Sequence, residues 1–567
     1  MKKINNIAGT LSILAAAFSF ASCESLDDSI KEDPYGGGRE PIGIKLLAEA
    51  PTPEKGYPGD TVVFKTRGLM NLYDEVTNTF GFKFYMNEVE TPVYEATDTT
   101  LTVVVPENIS TGLTYLVAEN QVFYGPSFTV LGNLSVDEDY KLADVNFGGA
   151  IYDCLESRNS SAPHNYYLVG GFRQIEKTQY NGIALVNEQG SLVGPNAGNN
   201  IITGITSVYG SGTQDTYIKS ISYFDDKKML VTGSFSNMYI KSSNSTLMPA
   251  NQVPVYNVAV LSKNAMVDTV QVKFNELGYN SSEAGKYQPL SSFNGGTNAA
   301  ITESFVTSDQ KVILVGNFTQ YFRAVYAEWF SDNTETVTDV TCVVRTGRDG
   351  SLDESYRNKA AGFTGANGSV SDAYIDENDG IVIVGNFTSF DGIPAPGIVR
   401  IDKDGNVDQS FLANIGKGTD LAATKIRYNQ KLKKAVLAGP FTSFNGQPRN
   451  SLAVIDNNGR LDETFIPREI SGGTFDFGTM LDGGKIVASG TFRLYDRVPR
   501  LGFVVLEPDG EAIQRFNVPG EFTGELNQVI ETETSIGNYG LLLLGNITRF
   551  NGKIVNNAVM LEADFDN

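Results

Sequence analysis

The sequence predicts an all-β protein in which an N-terminal β-sandwich precedes a seven-bladed β-propeller. The first observation is an internal repeat. Seven apolar runs each end at a glycine, and an aromatic or apolar residue follows shortly after that glycine. The second is that these apolar runs are continuous, whereas the strand candidates before residue 133 alternate apolar and polar positions. A continuous run indicates a strand covered on both faces, and alternation indicates a strand with one exposed face.

The repeat is clearest from Ile381 to Gly392, which reads IVIVGNFTSFDG. A second strand candidate and an Asp-Gly or Asn-Gly turn follow the glycine, as in GIVRIDKDGNVDQSF, and such a turn between apolar runs predicts a hairpin. Each repeat then holds about four strands, which is the content of one propeller blade. The repeated glycines are 51 to 83 residues apart: Gly170, Gly233, Gly316, Gly385, Gly439, Gly490 and Gly545.

Packing between blades accounts for the details of the repeat. Runs such as Leu541 to Leu544 are apolar at every position, so both faces of these strands should be covered. A glycine fits where two backbones approach too closely for a side chain, and the aromatic after it would fill the space between blades. The alternative is a set of separate sandwiches with similar hairpins, but isolated four-stranded units could not bury their own faces.

This pattern resembles the delta-60 repeat family of bacterial β-propellers. The resemblance covers residues from about 144 to 567 and departs from the family in repeat seven, where Ile547 replaces the aromatic. It implies a propeller over residues 140–567. It implies no catalytic site, because function is not inherited with this fold.

The front of the repeat region is expected to close the ring. Residues 144–147, Asp-Val-Asn-Phe, resemble the blade ending of residues 408–411, Asp-Gln-Ser-Phe. The last repeat stops where such an ending should follow. We therefore expect residues 144–147 to pair beside residues 558–565, which would remove two exposed sheet edges.

The N-terminus has the order of a targeting segment. Lys2 and Lys3 precede an apolar core from Ile7 to Phe20, and Ala21-Ser22 precede Cys23. The last three residues resemble a bacterial lipobox, which implies that residues 1–22 are a signal peptide and that Cys23 carries a lipid. Ordinary secretion, with Cys23 merely near the cleavage site, is the alternative.

Residues 23–41 are acidic and glycine-rich and have no apolar periodicity, so we expect a flexible tether. Its early acidic residues, Glu24, Asp27 and Asp28, resemble the export signal of Bacteroidetes lipoproteins that face the outside of the outer membrane. The lipid-anchored protein is therefore expected on the cell surface.

Residues 42–133 contain alternating strand candidates, among them TVVFKTRG, FGFKFYMN and LTVVVPEN. Together with the Pro58-Gly59-Asp60 turn and the strand end at Val105-Pro106, they resemble an immunoglobulin-like domain of the IPT/TIG kind. Such modules serve as spacers or contact surfaces.

Composition and motifs argue against most enzyme classes and against nucleic acid. The net charge of -22 would repel a phosphate backbone. The chain has one histidine, His164, and lacks the GxSxG, HExxH and P-loop motifs, so a catalytic relay or a zinc site is not predicted. Cys154 and Cys342 belong to non-adjacent repeats and are expected to be buried thiols.

Acidic residues recur in phase with the repeat at Asp353, Asp408 and Asp462, which indicates a strand-end role in every blade. Residues 402–408 have oxygen ligands at spacings that calcium could use, but the equivalent residues 456–462 favour a hairpin turn. No metal site or cofactor is therefore predicted, and calcium is the alternative left open. A glycosidase that uses paired carboxylates also stays possible.

The insertion at residues 319–339 concentrates aromatic side chains in the third repeat. Exposed aromatics in loops offer stacking surfaces for sugars or peptides, although the same side chains could pack on the propeller rim. The predicted ligand or partner contacts are Tyr321, Tyr326, Trp329 and Phe330.

Together these features predict a non-enzymatic, surface-exposed outer-membrane lipoprotein that binds a ligand or partner. The signal, tether and two-module layout resemble accessory proteins of complexes that pair a TonB-dependent transporter with a substrate-binding lipoprotein, which take up glycans or peptides. The alternative is a glycan-active propeller enzyme that uses carboxylates.

Overall fold

The computed structural model describes residues 42–158, 164–176, 178–193, 205–206, 216–239, 252–263, 265–273, 287–326, 335–357 and 362–565. Nearly all elements in this part are strands, and the helices are short: Leu69–Leu72 and Lys141–Asp144 are 3₁₀-helical and Gln409–Ile415 is α-helical. The predicted all-β class is confirmed. None of these helices is long and apolar enough to cross a membrane.

The N-terminal part consists of two sheets that share one apolar core. Val62 and Phe64 alternate with accessible positions and are fully buried, and the Phe64 ring lies 5.1 Å from that of Phe84. One sheet has the order Lys45–Leu46, Thr61–Arg67, Thr100–Val104, Val93–Ala96. The other has the order Lys55–Gly56, Gln121–Val130, Gly112–Ala118, Phe82–Met86, Val89–Thr91, and a small hairpin joins Tyr73–Asp74 to Thr79–Phe80.

The repeat region forms consecutive antiparallel sheets, which we number one to seven in chain order within the described residues. The first strands are Ile151–Glu156, Tyr217–Tyr223, Ile301–Val306, Ser369–Ile375, Lys425–Asn429, Phe475–Met480 and Phe522–Glu533. The second strands are Tyr166–Gly170, Lys228–Ser234, Val312–Gly316, Ile381–Asn386, Lys434–Ala438, Ile486–Gly490 and Tyr539–Phe550. The third strands are Ile183–Val186, Val258–Ser262, Val343–Thr346, Ile398–Ile401, Leu452–Asp456, Phe503–Leu506 and Ala558–Ala563.

These sheets form a closed ring around a central channel. Each first strand contacts the first strand of the next sheet, and the first strand of sheet seven contacts that of sheet one. Every boundary between neighbouring sheets contains a buried apolar cluster with side chains from both. The predicted β-propeller is therefore confirmed, and burial between sheets explains why the apolar runs are continuous.

The repeated glycines lie where the sequence pattern predicted a close approach. A Cβ atom on Gly385 would come within 3 Å of the Ser369 carbonyl oxygen, and each of the other six meets an equivalent carbonyl at similar range. In the first six sheets the phenylalanine two residues after the glycine is buried between sheets, and Ile547 occupies the equivalent position of sheet seven. The glycine and the aromatic residue of this motif are thus both required by packing, the glycine between strands and the aromatic between sheets.

Closure uses a different segment from the one predicted. In sheets one to six the fourth position is reduced to an isolated bridge, such as Ile401 to Val407. In sheet seven it is a strand, Leu134–Val136, which pairs antiparallel with the end of Ala558–Ala563. The predicted pairing of residues 144–147 is wrong, because this segment begins at the last residue of the 3₁₀-helix Lys141–Asp144 and inserts Phe147 between sheets seven and one.

The ring has two distinct faces. The turns between first and second strands form what we call the turn face. The opposite hairpin face carries smaller strands: Gln174–Ile175, Thr178–Gln179, Ile205–Thr206, Asn237–Tyr239, Gln252–Pro254, Gly296–Thr297, Gln320–Ala324, Glu335–Asp339, Ser389–Phe390, Ile393–Pro394, Ser443–Phe444, Gln447–Pro448, Ile470–Ser471, Leu494–Tyr495, Val498–Pro499 and Lys553–Ile554. A further hairpin pairs Thr269–Lys273 with Tyr287–Ser291.

The N-terminal part rests on the hairpin face at sheet six. The amide N–H of Thr111 donates to the Val518 carbonyl at 2.8 Å, and Arg500 Nη1 donates to the Asn108 carbonyl at 3.1 Å. Arg493 and Glu88 form an ion pair of 2.8 Å at the edge of this contact. The turn face is consequently the side opposite the N-terminal part.

Candidate functional site

Polar side chains converge on the central channel. Asp153, Glu303, Asp372 and Gln528 each come directly after a β-bulge in a first strand, and Lys425 begins the first strand of sheet five. A bulge re-aims the residues that follow it, which is why charged side chains can interrupt otherwise apolar strands here.

Arg427 crosses the channel and connects three sheets. Its Nη1 donates to Asp372 Oδ2 at 2.5 Å and to the Ile426 carbonyl at 2.9 Å, and its Nη2 donates to the Asn527 carbonyl of sheet seven at 3.3 Å. Asp372 Oδ2 also accepts from the Ile426 amide. Removing either charge would leave the other poorly compensated in a mostly buried site, so this pair holds the channel in one arrangement.

Other polar groups in the channel are also paired. Gln528 Nε2 donates to Asp153 Oδ1 at 2.9 Å, and Lys425 Nζ donates to Asn527 Oδ1 at 3.2 Å. Burial raises the pKa of Asp153 to about 6, although backbone amides donate to its carboxylate. Burial also lowers the pKa of Lys425, and burial together with the nearby Glu525 raises the pKa of Asp476 to about 7.

Glu303 differs from these groups because it has no hydrogen-bond or ion-pair partner among the described residues. Its side chain is surrounded by the channel strands but keeps some accessible surface. Burial raises its pKa to about 8, and the neighbouring Asp372 carboxylate acts in the same direction against the opposing effect of Arg427. Glu303 is therefore largely protonated at neutral pH.

A cavity of about 500 Å³ opens from this point onto the turn face, and we call it the central cavity. Glu303, Arg427 and Gln528 form its inner wall. Tyr374 and Tyr428 form another wall with their rings stacked at 4.4 Å and 5°. The size and the mixture of aromatic and polar groups are typical of a small-ligand site.

The hydroxyl groups of Tyr428 and Tyr374 differ in their hydrogen bonding. Tyr428 donates from its hydroxyl to Glu377 Oε2 at 2.7 Å, and Lys433 pairs with the other oxygen of that carboxylate at 2.7 Å. Tyr374 is 6% exposed, and its hydroxyl has no hydrogen-bond partner among the described residues. Burial raises the pKa of Tyr374 above its ordinary value.

Two further cavities open on the turn face between neighbouring sheets. One of about 590 Å³ lies between sheets six and seven beside Tyr539 and Phe565. One of about 380 Å³ lies between sheets one and two beside Arg158 and Tyr223. The central cavity is distinguished from both by the partnerless carboxyl of Glu303 at the channel.

Tyr321 and Tyr326, two of the four aromatic residues singled out in the sequence, lie on the hairpin face, away from the central cavity. Tyr321 is 2% exposed and donates to the Gly350 carbonyl at 2.8 Å. Tyr326 donates to the Ser291 carbonyl at 2.7 Å. Both side chains help to hold the inserted hairpin. Trp329 and Phe330, like Cys23, lie outside the described residues.

The single histidine and the internal cysteines form no catalytic arrangement with one another. His164 Nδ1 lies 3.3 Å from Glu156 Oε1. Cys154 and Cys342 are free thiols, and burial raises the pKa of both. Cys342 is buried as predicted, whereas Cys154 keeps some accessible surface.

The recurrent acids have the predicted strand-end role. Asp353 pairs with Lys311 at 2.8 Å, Asp408 with Arg400 at 2.6 Å, and Asp462 with Lys434 at 2.7 Å. Each also accepts from the hydroxyl of a serine or threonine two residues later.

The segment considered as a calcium site, residues 402–408, forms an ordinary turn. Asp402 Oδ1 accepts from the amides of Asp404 and Asn406, which closes the turn without an ion. Across the described ranges, no group of three His, Cys, Asp or Glu side chains is placed to hold a metal.

The sequence pattern did not single out Glu303, Arg427, Tyr374 or Tyr428. A usable signal was present, because polar residues recur at the same place in several first strands, at Asp153, Glu303, Asp372 and Gln528. The repeated glycines provide the alignment in which those polar residues fall on equivalent strands.

Comparisons with known families match three separate parts of the chain. The family described as Domain of unknown function (DUF5008) matches residues 19–126, and Domain of unknown function (DUF5124) matches residues 130–242. Domain of unknown function (DUF5122) beta-propeller matches residues 377–411 and 433–465. The last match agrees with the propeller seen in the structure. No curated protein matches the chain.

Solved structures with similarity to the chain include two auxiliary nutrient binding proteins. The one from Bacteroides thetaiotaomicron VPI-5482 is 13% identical, with 91% of this chain and 97% of that chain covered and a TM-score of 0.28. The one from Bacteroides ovatus ATCC 8483 is 10% identical, with 92% and 98% covered and a TM-score of 0.28. The WD40 β-propeller domain of Doa1 is 12% identical, with 73% and 96% covered and a TM-score of 0.35. Similarities this low leave function to be argued from the site.

Proposed function

We propose that this protein is a non-enzymatic, surface-exposed outer-membrane lipoprotein that binds a glycan or peptide ligand in the central cavity. Its architecture would be a seven-bladed propeller behind an immunoglobulin-like domain of the IPT/TIG kind. The observation that carries the binding role is the cavity itself, where stacked tyrosines lie opposite the partnerless carboxyl of Glu303. Aromatic faces bind sugars and peptide groups, and a free polar group fixes orientation.

The state of the neighbouring acids favours binding over catalysis. Hydrolysis of a glycoside by paired carboxylates requires a second free carboxyl on the other side of the bond. Asp372 is held by Arg427, and Asp153 accepts from two backbone amides and Gln528. Only Glu303 is uncommitted among these channel acids in the described chain.

A glycan-active enzyme is the second candidate, and the raised pKa of Glu303 is the observation that favours it. A carboxyl that stays protonated at neutral pH can act as a general acid. If the protein turns over a glycan, Glu303→Gln should abolish turnover while ligand binding persists. Binding without product release by the unmodified protein supports the non-enzymatic role.

The proposed function also includes a lipid anchor and a protein partner. Lipidation at Cys23 and the tether of residues 23–41 would connect the membrane to the N-terminal part, which rests on the hairpin face. The central cavity then opens on the opposite face, where a ligand has access. The insertion at residues 319–339 would contact a TonB-dependent transporter or its substrate-binding lipoprotein through Tyr326, Trp329 or Phe330, with Tyr321 holding the base of the hairpin.

The binding role is tested with Tyr428→Ala. Oligosaccharides from enzymatic digests of polysaccharides and a set of tetrapeptides are measured by equilibrium binding against the full-length protein. Tyr428→Ala should weaken binding at least tenfold, whereas Tyr94→Ala, which alters a tyrosine that is 77% exposed on the N-terminal part, should not. Equal binding by both variants would reject the central cavity as the ligand site.

A further inference from the structure

We propose that the central cavity selects ligands that carry a primary ammonium group, and that Glu303 is its ion-pair partner. The inference rests on the proposed binding function and adds the chemical class of the ligand. It follows from the charges that line the cavity, from the polar groups left without partners there, and from what surrounds Glu303.

Most charged groups in the cavity wall are already satisfied. Glu377 is paired with Lys433 and accepts from Tyr428. Asp379 accepts from the amide and the hydroxyl of Ser308 at the turn face. A ligand would have to break these contacts in order to use either carboxylate.

The remaining acid and the remaining base of the cavity wall, Asp376 and Arg427, also have partners within the protein. Asp376 accepts from the amides of its own turn. Arg427, the one cation among the described lining residues, is committed to Asp372. An anionic ligand would therefore meet no free cation among the described lining residues, while a cationic ligand would meet the free carboxyl of Glu303.

The cavity wall also contains a buried polar group that the described residues leave unsatisfied. The Tyr374 side chain is more than nine-tenths buried in the cavity wall, and its hydroxyl has no partner in the part of the chain that the structure describes. Leaving a buried hydroxyl unpaired costs free energy, and such exceptions call for an explanation. The stacked rings of Tyr374 and Tyr428 also suit a cation, because ammonium groups are attracted to aromatic faces.

The surroundings of Glu303 determine how binding couples to protons. Asp372 and Asp153 face it with negative charge, and Arg427 and Lys219 face it with positive charge, from the four sheets around it. With a pKa of about 8, Glu303 holds a proton before the ligand arrives. An ammonium group would stabilise the carboxylate, so binding should release a proton. A neutral ligand that accepts a hydrogen bond from the protonated carboxyl would cause no release.

The test uses calorimetry on the full-length protein at pH 7 in two buffers of different ionisation enthalpy. The probes are tetralysine and the glucosamine tetramer, each compared with its fully N-acetylated form, so that the peptide and sugar sources of the ammonium group are separated. At least one amine probe should bind ten times more tightly than its acetylated form, and binding of tetralysine, whose ε-amines are already protonated at pH 7, should release a proton. Glu303→Gln should remove both the preference and the release, and Glu354→Gln, which alters an exposed glutamate, should retain them.

The outcomes separate this inference from the proposed function. Equal affinity for amine and acetylated probes, or unchanged preference in Glu303→Gln, would overturn ammonium selection while Tyr428→Ala still reports binding in the cavity. Failure of every probe to bind would overturn ammonium selection as well. Tight binding that Tyr428→Ala does not affect would instead place the ligand elsewhere and reject the proposed function.

Discussion

Truncation of Leu134 to alanine should destabilise the propeller, although this residue precedes the repeat region. Leu134 is 2% exposed, pairs with Ala563 and packs into the apolar cluster between sheets six and seven. Leucine-to-alanine changes in buried sites cost about 2–5 kcal/mol of unfolding free energy. We expect about 3 kcal/mol, because an outermost strand can partly collapse into the space that is left.

Urea unfolding followed by far-UV circular dichroism measures this loss, and Ser135→Ala is the matched control. Ser135 lies on the same strand with an exposed side chain, and its backbone pairing with Glu562 would be unchanged. Its effect should stay within about 0.5 kcal/mol, as for other exposed substitutions. Phe147→Ala, in the gap between sheets seven and one, should cost about 3–5 kcal/mol through lost packing.

A result in which Leu134→Ala unfolds at the same urea concentration as Ser135→Ala would refute the closure by this strand. The ring would then be held by the contacts between sheets seven and one alone. A loss in Phe147→Ala without one in Leu134→Ala would support that arrangement.

Four further predictions concern separate parts of the chain. Gly385→Ala should cost about 1–3 kcal/mol, because its Cβ would collide with a backbone carbonyl, whereas Gly483→Ala, in open space, should have little effect on thermal melting. Cys23→Ala should yield a protein without lipid that leaves the membrane fraction, and lipid found on the variant by mass spectrometry would contradict the lipobox. Trp329→Ala should weaken partner binding by about 2 kcal/mol or more at an unchanged melting temperature, as truncation of an interface anchor does, and a lower melting temperature with intact binding would show a packing role. The folded-state pKa of Glu303 is raised from 4.5 to about 8, so its contribution to stability is fully present below the unfolded pKa and is lost as pH rises through about 8. The melting temperature of Glu303→Gln should therefore depend less on pH than that of the unmodified protein. An unchanged dependence would show that this carboxyl does not titrate as described.

The sequence was sufficient for the repeat because one geometric requirement acts in every sheet. Gly385 and its six counterparts must each pass a carbonyl oxygen of the neighbouring strand, so the same phrase recurs wherever the chain makes that contact. The strand Leu134–Val136 could not be found in this way. It is three residues long, carries no repeat phrase, and gains its role only from a partner at the other end of the propeller.

The central cavity was hidden from the sequence for a different physical reason. The direction of a side chain in a strand follows from strict alternation, and each bulge shifts that alternation by one residue. Glu303 lies immediately after such a bulge, and its neighbours across the channel come from distant repeats. The aromatic insertion was conspicuous, but Tyr321 is used to build the hairpin.

The pairing of Leu134–Val136 with Ala558–Ala563 in sheet seven determines the order in which the chain can fold as it is synthesised. Asn133 and Asp564 form a hydrogen bond across 431 positions of sequence, so the closing strand leaves the ribosome long before its partner exists. Contacts of such separation form late and slowly. During elongation or export the nascent chain must keep Leu134–Val136 from pairing with another strand edge, which is where misassembly and chaperone capture would concentrate. The ring can become circular only when the final repeat has arrived.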